Sequence, residues 1–388
     1  MRTYTYVEKH GNNIYHRWVE DGEHFSEVTS EFEIPLYLRH PKGTALSLYK
    51  EPLIEKTFDS IPEANAFIDR YDGVEGMDVY GQTDFSQAFI AKYYPQPVEF
   101  NIKDFIIASV DLEVEHGDMS SYLPSTPVRV KDETAMTLES AIALGDDYEI
   151  WDVEAKGWRK YKDSCYAPTV EGFPDPDKAE GRIMSISMKV FKGESLAFGL
   201  LPKPDAPELE NVTYFQCHNE KDMLSKFLLE FRRISPHIFT GWNVYGFDIP
   251  YLVNRLNNVF GENYANNLSP FYGKARNCIR ACHNKEGQDS YRILGFTVLD
   301  YQELYKKFNP DKQESYKLDY IGEVEGVGRK IDYSEYGNSL MRLYRGEWHI
   351  PASADPETLQ EKDRWARMRG IIRDKLKARG INAKDLKS

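Results

Sequence analysis

Three carboxylates in two short segments are the side chains of this sequence best placed to do chemistry. Asp111 and Glu113 close the run FIIASVDLEV, and Asp248 lies in GWNVYGFDIPYLVNRL. Residues two apart in an extended chain share a face, so Asp111 and Glu113 project together while Leu112 points into the opposite layer. Like charges held a few ångströms apart raise each other's pKa unless something cancels the repulsion, and a divalent cation does so. Oxygen-only ligands of this kind suit Mg²⁺ or Mn²⁺, which keep several waters and bind through one or two carboxylates plus substrate phosphate. An exposed acidic strand end is the competing account of Asp111 and Glu113 taken alone, and the second segment shifts that balance.

The elements that must position these acids are readable from pattern. Phe105 to Val110 is an apolar, β-branched-rich run of the kind that forms a buried strand. In IFTGWNVYGFDIPYLVNRL a short apolar stretch ends at Gly241, a glycine-containing loop follows, and Asp248 precedes Ile249 and Pro250. Proline is tolerated in a helix only in the first turn, which places Asp248 at the N-cap of a helix whose Leu252, Leu256 and Val259 recur at helical spacing until Gly261 stops it. A carboxylate at a helix start can cap the helix, and it is also well placed for a cation and a phosphate, so two roles compete for one side chain.

The segment V-D-L-E-V, followed far downstream by G-W-N-x-x-x-F-D-I-P-Y-L-x-x-R, resembles the first and second exonuclease motifs of family B DNA polymerases. The chain is most similar to the N-terminal part of the replicative polymerases of T-even-type bacteriophages. The similarity continues through SPFYGKARN, FTVLDYQELYKKF and SYKLDYIGEVEGVGRK, so that it spans most of residues 1 to 345 apart from one insertion. The resemblance implies an α/β (α+β) chain: a mixed N-terminal domain over 1–102, then a ribonuclease H-like exonuclease domain over 103–345, a mixed sheet flanked by helices. Such a domain removes a mismatched 3′ nucleotide with two metal ions, Mg²⁺ or Mn²⁺, held by four acidic residues. Carried over by position, Asp111, Glu113 and Asp248 would be catalytic metal ligands, and Asn243 would orient the substrate end. Lys330, in GVGRKIDY, resembles a lysine near the scissile phosphate, with Arg329 as the competing match.

The departure from the family is as informative as the match. Its third motif is a tyrosine with an aspartate four residues later, and after Tyr316 no tyrosine here has an aspartate at that spacing. Asp300, in the VLDY segment, has no metal role in the family's pattern. Nothing in the 388 residues resembles palm, fingers or thumb. The expectation is a divided polymerase whose second chain begins near the third motif and supplies the last aspartate, the nucleotidyl-transfer domains and contact with a sliding clamp. The rival is a truncated, inactive remnant. A non-catalytic nucleic-acid-binding or assembly subunit is the alternative function.

At roughly 100 to 200 residues per domain, this length allows two or three domains with real cores. No apolar stretch is long enough for a membrane span and MRTYTYVEKHGNN does not read as a secretory signal, so a soluble, cytoplasmic protein is expected. Cys165, Cys217, Cys278 and Cys282 lack paired metal-binding spacing, with His283 the only close histidine, and reduced structural cysteines are expected. The net charge of -13 weighs against wrapping duplex DNA through counterion release. The resemblance implies instead a grip on a few unpaired 3′ nucleotides of primer-template DNA. Lys274, Arg276, Lys306 and Lys307 are candidate backbone contacts, and aromatic rings the expected stacking partners.

Four further segments carry expectations. TYTYVEKHGNNIYHRWVEDG reads as a hairpin around Gly11-Asn12-Asn13, and ARNCIRACHNKEGQDSYRILGF as one turning near Asn284 to Gln288. Residues 116–170, without counterpart in the phage family, read as a small β-rich insertion: VRVK a strand, TLESAIALG a short helix, and YEIWDVEAKGWRKYKDS a hairpin turning at Ala155-Lys156-Gly157. FPDPDKAEGRIMSISMKVF should supply the strand after the catalytic one. The tail 346–388 reads as a divergent basic amphipathic helix ending near Gly380, with ten Lys plus Arg against three Asp from Lys362 onward.

Overall fold

The computed structural model describes residues 2–97, 101–115, 128–130, 133–136, 148–152, 157–160, 174–201, 210–284 and 287–329. Chain contacts divide it into two compact units: Met1–Asp118 with Pro168–Ile331, and Met119–Ala167 with Asp332–Ser388.

The first unit opens on an antiparallel sheet, β1 (Thr3–His10), β2 (Asn13–Glu20) and β3 (Glu23–Thr29). His10 faces Asn13 across the ladder, so the turn is the pair Gly11-Asn12 and Asn13 already belongs to β2. A second sheet, ordered β5-β6-β4-β7, comprises β4 (Glu31–Arg39), β5 (Ala45–Leu46), β6 (Pro52–Ser60) and β7 (Val79–Gly81). It packs with α1 (Ile61–Tyr71) and α2 (Phe85–Tyr93) around Ile34, Leu36, Ile61, Phe67, Phe85 and Phe89.

The strand of the candidate acids, β8, runs Ile107–Val114, further than the apolar run alone suggests. Ala108, Val110, Leu112 and Val114 are buried while Ser109 and Asp111 are exposed and Glu113 half-buried, the alternation expected of a strand with one face in the core. The insertion contributes β9 (Val128–Val130), β10 (Glu133–Met136), β11 (Tyr148–Asp152) and β12 (Gly157–Lys160), a four-stranded sheet ordered β10-β9-β11-β12 in the second unit. Asp152 pairs with Gly157, which therefore starts β12 rather than sitting in the turn. The expected TLESAIALG helix, Ala155-Lys156 and the helix of 346–388 lie outside the described residues.

The main sheet is completed by β13 (Ile183–Val190), β14 (Ser195–Gly199), β15 (Val212–Gln216), β16 (Ile238–Gly241) and β19 (Thr297–Asp300). Between the last two lies the hairpin β17 (Ile279–His283) and β18 (Asp289–Ile293), turning where the sequence indicated. The order is β15-β14-β13-β8-β16-β19. Pairing is antiparallel from β14 through β13 to β8 and parallel from β8 through β16 to β19. Among the described residues four helices accompany it: α3 (Glu220–Ile234), α4 (Asp248–Phe260), α5 (Tyr301–Phe308) and α6 (Leu318–Val324). This is the mixed sheet flanked by helices that the sequence led us to expect. Its core joins Val110, Leu112, Ile186 and Phe198 to Phe227 and Phe231 of α3 and to Ile249, Leu252 and Leu256 of α4.

Two buried side chains lock the sheet into its surroundings. His237 accepts the Ile106 N–H on Nδ1 at 3.0 Å, fixing the entry to β8 against β16, and burial lowers its pKa to about 2. Arg17, on β2, reaches Pro236 O (2.6 Å), Gly295 O (2.7 Å), and both Ser235 O (2.7 Å) and Ser235 Oγ (2.9 Å). One buried cation thus satisfies carbonyls on both sides of the β16 and β19 entries. Burial pulls its pKa down to about 10, still well above neutrality, so the charge persists.

Truncating Arg17 to Ala strands these carbonyls. The variant should lose about 3 kcal/mol and about 5 to 10 °C in unfolding midpoint by calorimetry; a shift below 1 °C would show that the guanidinium is dispensable.

Candidate active site

The placement of Asp248 follows from the shortness of β16. This strand pairs with β8 only from Ile107 to Ser109, so beyond that point β8 runs on with its β16-side edge open. The Leu112 N–H on that edge needs an acceptor, and Asp248 Oδ1 supplies it at 3.1 Å across 136 residues of sequence. Asp248 is therefore not the N-cap of α4. Phe247 is, with backbone angles of φ -139° and ψ -68°, and Asp248 is the first helical residue. No side chain caps this helix. The expected competition between capping and site chemistry is resolved against the cap, because the carboxylate turns towards β8 instead of back along its own helix.

The loop joining β16 to α4 is tightly made. A Cβ on Gly241 would lie 2.5 Å from Val244 Cγ1 and 3.0 Å from Val110 O, a close approach only glycine permits. Asn243 takes the left-handed conformation (φ 62°), which asparagine tolerates better than most residues. Its carbonyl accepts Gly246 N–H (3.1 Å) and Phe247 N–H (3.0 Å), and Val244 O accepts Ile249 N–H (2.9 Å). Trp242 donates from Nε1 to Tyr316 O at 3.0 Å.

Asp248 is 5 % exposed, and its pKa is pushed up to about 8. Burial is the largest cause, the negative charge of Asp111 adds to it, and Asp300 contributes weakly. The Leu112 N–H opposes these effects. Asp248, at the start of α4, thus feels the charge of Asp111 on β8. Glu113 stands on the same strand face, opposite Ser185 of β13 as Asp111 is opposite Ser187. An oxygen-only set in which a buried carboxylate feels a second, exposed one is chemistry that Mg²⁺ or Mn²⁺ would relieve, and in that sense the residues fit the ion. Among the described residues no group of three or more His, Cys, Asp or Glu stands close enough to form a metal cage.

Pattern reading passed over two further acids. Glu115, two residues beyond Glu113, is fully buried, and both its oxygens are taken by Arg182, from Nη2 at 3.0 Å and Nε at 3.1 Å. It is neutralised in place and does not substitute for the missing acid. Asp300, at the end of β19, is 4 % exposed and accepts backbone N–H groups from the β16–α4 loop and from α5. Its burial and partners were invisible to a reading that matched it only against known metal positions.

Of the remaining candidates, Asn243 lines a cavity of about 300 Å³ together with Asn284, Asp300, Gln302, Glu303, Lys306 and Lys307. Lys306 bonds Gln302 at 3.0 Å and lies 5.0 Å from the centre of the Tyr316 ring. The 279–293 hairpin contributes Asn284 to this lining, and its Gln288 Oε1 would stand 2.9 Å from a Cβ on Gly246. Arg276 and Lys274 are exposed and are not part of this lining. Lys330 lies outside the described residues, and Arg329 is ion-paired with Glu323. Cys217, Cys278 and Cys282 are free thiols. No helix among the described residues is long and apolar enough to cross a membrane.

The chain is similar to known proteins over part of this site. Residues 163–321 match the family described as DNA polymerase family B, exonuclease domain, an interval that includes Asn243, Asp248 and Asp300 but begins after Asp111 and Glu113. The chain is 28% identical over 334 residues to the DNA-directed DNA polymerase of Escherichia phage RB69, a match covering 85% of this chain and 33% of that protein. It is 26% identical over 397 residues to the enzyme of the same name from Enterobacteria phage T4, covering 95% and 37% respectively. A DNA polymerase catalytic subunit of Equine herpesvirus 2 is 29% identical over 178 residues, 42% of this chain and 17% of that protein. The chain spans about a third of the length of the phage polymerases it matches. In sequence it is similar to the N-terminal, exonuclease-domain portion of T-even-type family B polymerases.

The raised pKa of Asp248 makes a signed stability prediction. Between the unfolded-state value near 4 and about 8 the folded state keeps a proton that the unfolded state has lost, so stability falls as pH rises through that window. Urea midpoints of chelator-treated protein should decline from pH 5 to pH 8, with a limiting slope of roughly 1.4 kcal/mol per unit. Asp248→Asn should flatten that decline, and a variant with the wild-type slope would remove Asp248 as its source.

Proposed function

We propose that this chain is the proofreading 3′–5′ exonuclease part of a DNA polymerase, hydrolysing the terminal phosphodiester at a frayed primer end. The observation that carries this reading is the Asp248 carboxylate, buried on the strand of Asp111 and Glu113. A carboxylate with a purely structural duty has an easier position at the helix start, serving first-turn N–H groups. This one is buried instead beside a second carboxylate, and its pKa is raised first by that burial and then by the neighbouring charge.

Asp111, Glu113 and Asp248 would hold Mg²⁺, or Mn²⁺, through oxygen alone. Two such ions, when bound, supply a lowered pKa for the attacking water and stabilisation of the leaving 3′ oxygen. The chain's own groups prepare that chemistry. Asp248 holds its proton on the carboxyl until a cation competes for the oxygens. Leu112 N–H fixes one of those oxygens. Asn243, held in its left-handed turn, orients the terminal nucleotide, and Lys306 and Lys307 meet the phosphate backbone from the cavity wall. Arg276 is a backbone contact further out, and Lys330, with Arg329 as its rival, approaches the scissile phosphate. Because the grip is on a few unpaired nucleotides, an acidic chain can perform it.

The last acid of the site we assign to polypeptide beyond the described residues, carried with palm, fingers and thumb on a second chain that also contacts a sliding clamp. The setting would be the cytoplasm of the infected host. A non-catalytic DNA-binding or assembly subunit is the alternative, favoured by the lack of a preformed three-acid cluster among the described residues.

The test is Mg²⁺-dependent release of 3′ nucleotides from single-stranded DNA. It compares this chain alone, the chain with a polypeptide bearing the Tyr-x-x-x-Asp segment and polymerase domains, and that pair with Asp111→Ala. Release by the pair, reduced by more than about 100-fold in Asp111→Ala, supports catalysis. An inactive pair, or one indifferent to Asp111, sinks it, and release by the isolated chain overturns the claim of an incomplete site.

A further inference from the structure

Asp300 sits where three elements meet, and among the described residues its hydrogen-bond partners are all backbone N–H groups. It ends β19, whose pairing with β16 sets Asp300 opposite Gly241, the residue from which the β16–α4 loop departs. Its Oδ1 accepts Asn243 N–H at 3.1 Å, Gln302 N–H at 2.9 Å and Glu303 N–H at 3.4 Å, and its Oδ2 accepts Tyr245 N–H at 3.0 Å. The carboxylate is nearly inaccessible, so these bonds replace hydration that the charge would otherwise demand. Two of the four donors belong to the start of α5, an ordinary cap. The other two flank Val244 in the loop that turns through the left-handed Asn243 and ends at Asp248. A left-handed asparagine persists only when its surroundings over-determine it, and charge-assisted bonds on Asn243 and Tyr245 do so here.

We propose that Asp300 is a positioning residue of the site: its two carboxylate oxygens latch the 242–247 loop to β19, setting the places of Asn243 and Asp248 without Asp300 touching substrate or ion. The inference rests on the exonuclease reading for its functional consequence, but the latch itself is a property of the loop. The oxygens divide the labour. An amide at this position keeps one acceptor for Asn243, Gln302 and Glu303 and turns an NH₂ against the Tyr245 N–H, so Asp300→Asn strikes the loop while sparing the cap. Asp300→Ala strikes both.

Two measurements on the full chain decide this, neither requiring turnover. Amide hydrogen exchange of 242–248 should quicken by about tenfold or more in Asp300→Asn, the loss of one charge-assisted bond of roughly 1.5 kcal/mol or more, while exchange in α3 stays at the wild-type rate. Mn²⁺ affinity, read by electron paramagnetic resonance, should weaken about 10-fold or more, the range for residues that orient metal ligands without touching the ion. Asp300→Ala should be worse in both. Unchanged loop exchange in Asp300→Asn, Mn²⁺ affinity within twofold of a wild type that binds the ion, or exchange rising equally in α3 overturns the latch. A wild type that binds no Mn²⁺ sinks the metal part of the exonuclease reading, and loop exchange then decides the latch alone.

Discussion

The Leu112 N–H to Asp248 bond is the constraint around which the site is arranged. It exists because β16 is four residues long while β8 is eight, so the ladder between them ends with β8 still running. An unpaired N–H at a buried edge is costly, and the next available acceptor is the first residue of the helix that follows β16. The same geometry that satisfies the edge carries a carboxylate into the neighbourhood of Asp111. Stability and site chemistry then pull in opposite directions. The bond favours the ionised form of Asp248, burial and Asp111 oppose it, and the opposition wins. A strained electrostatic balance of this sort is characteristic of functional sites, because a ligand can release it.

Much of this arrangement is legible in the sequence, and the reasons differ by element. The alternation in IASVDLEV reports a strand with one buried face, which alone fixes Asp111 and Glu113 on a common side. Leu252, Leu256 and Gly261 report the α4 stripe and its end, since burial demands apolar residues at helical spacing. The 279–293 hairpin follows from its polar turn between two apolar runs. Identifying Asp248 as important needs the wider motif, whereas its bond to Leu112 depends on where β16 stops, a fact of strand pairing that no local pattern states.

What escaped the sequence is non-local. Asp300 owes its role to β19 lying beside β16, which brings it to a loop more than fifty positions earlier. Glu115 looks like one more acid following Asp111 and Glu113 until Arg182, 67 residues on, takes both its oxygens. Arg17 reads as an ordinary alternating strand residue, yet it is among the most deeply buried charges of the described chain. Each is a polar residue whose partner is distant in sequence, and hydrophobic periodicity carries no information about such pairs.

The segment that returns to β13 is held by a row of side chains on α4. Tyr251 bonds Gly181 O, Asn254 bonds Pro176 O, Arg255 bonds Ala179 O and Glu180 O, and Asn258 bonds Lys178 O. With the Glu115 N–H on Arg182 O at 2.8 Å, the outgoing and returning strands are tied shut at their base. Whatever polypeptide runs between them is a closed loop whose ends are already paired. Lengthening such a loop adds only about 0.6 kcal/mol for each doubling, and the knot at its neck keeps that change from reaching β8. The neck is thus closed by bonds that belong to Glu115, the 176–182 segment and α4, not to the polypeptide between them.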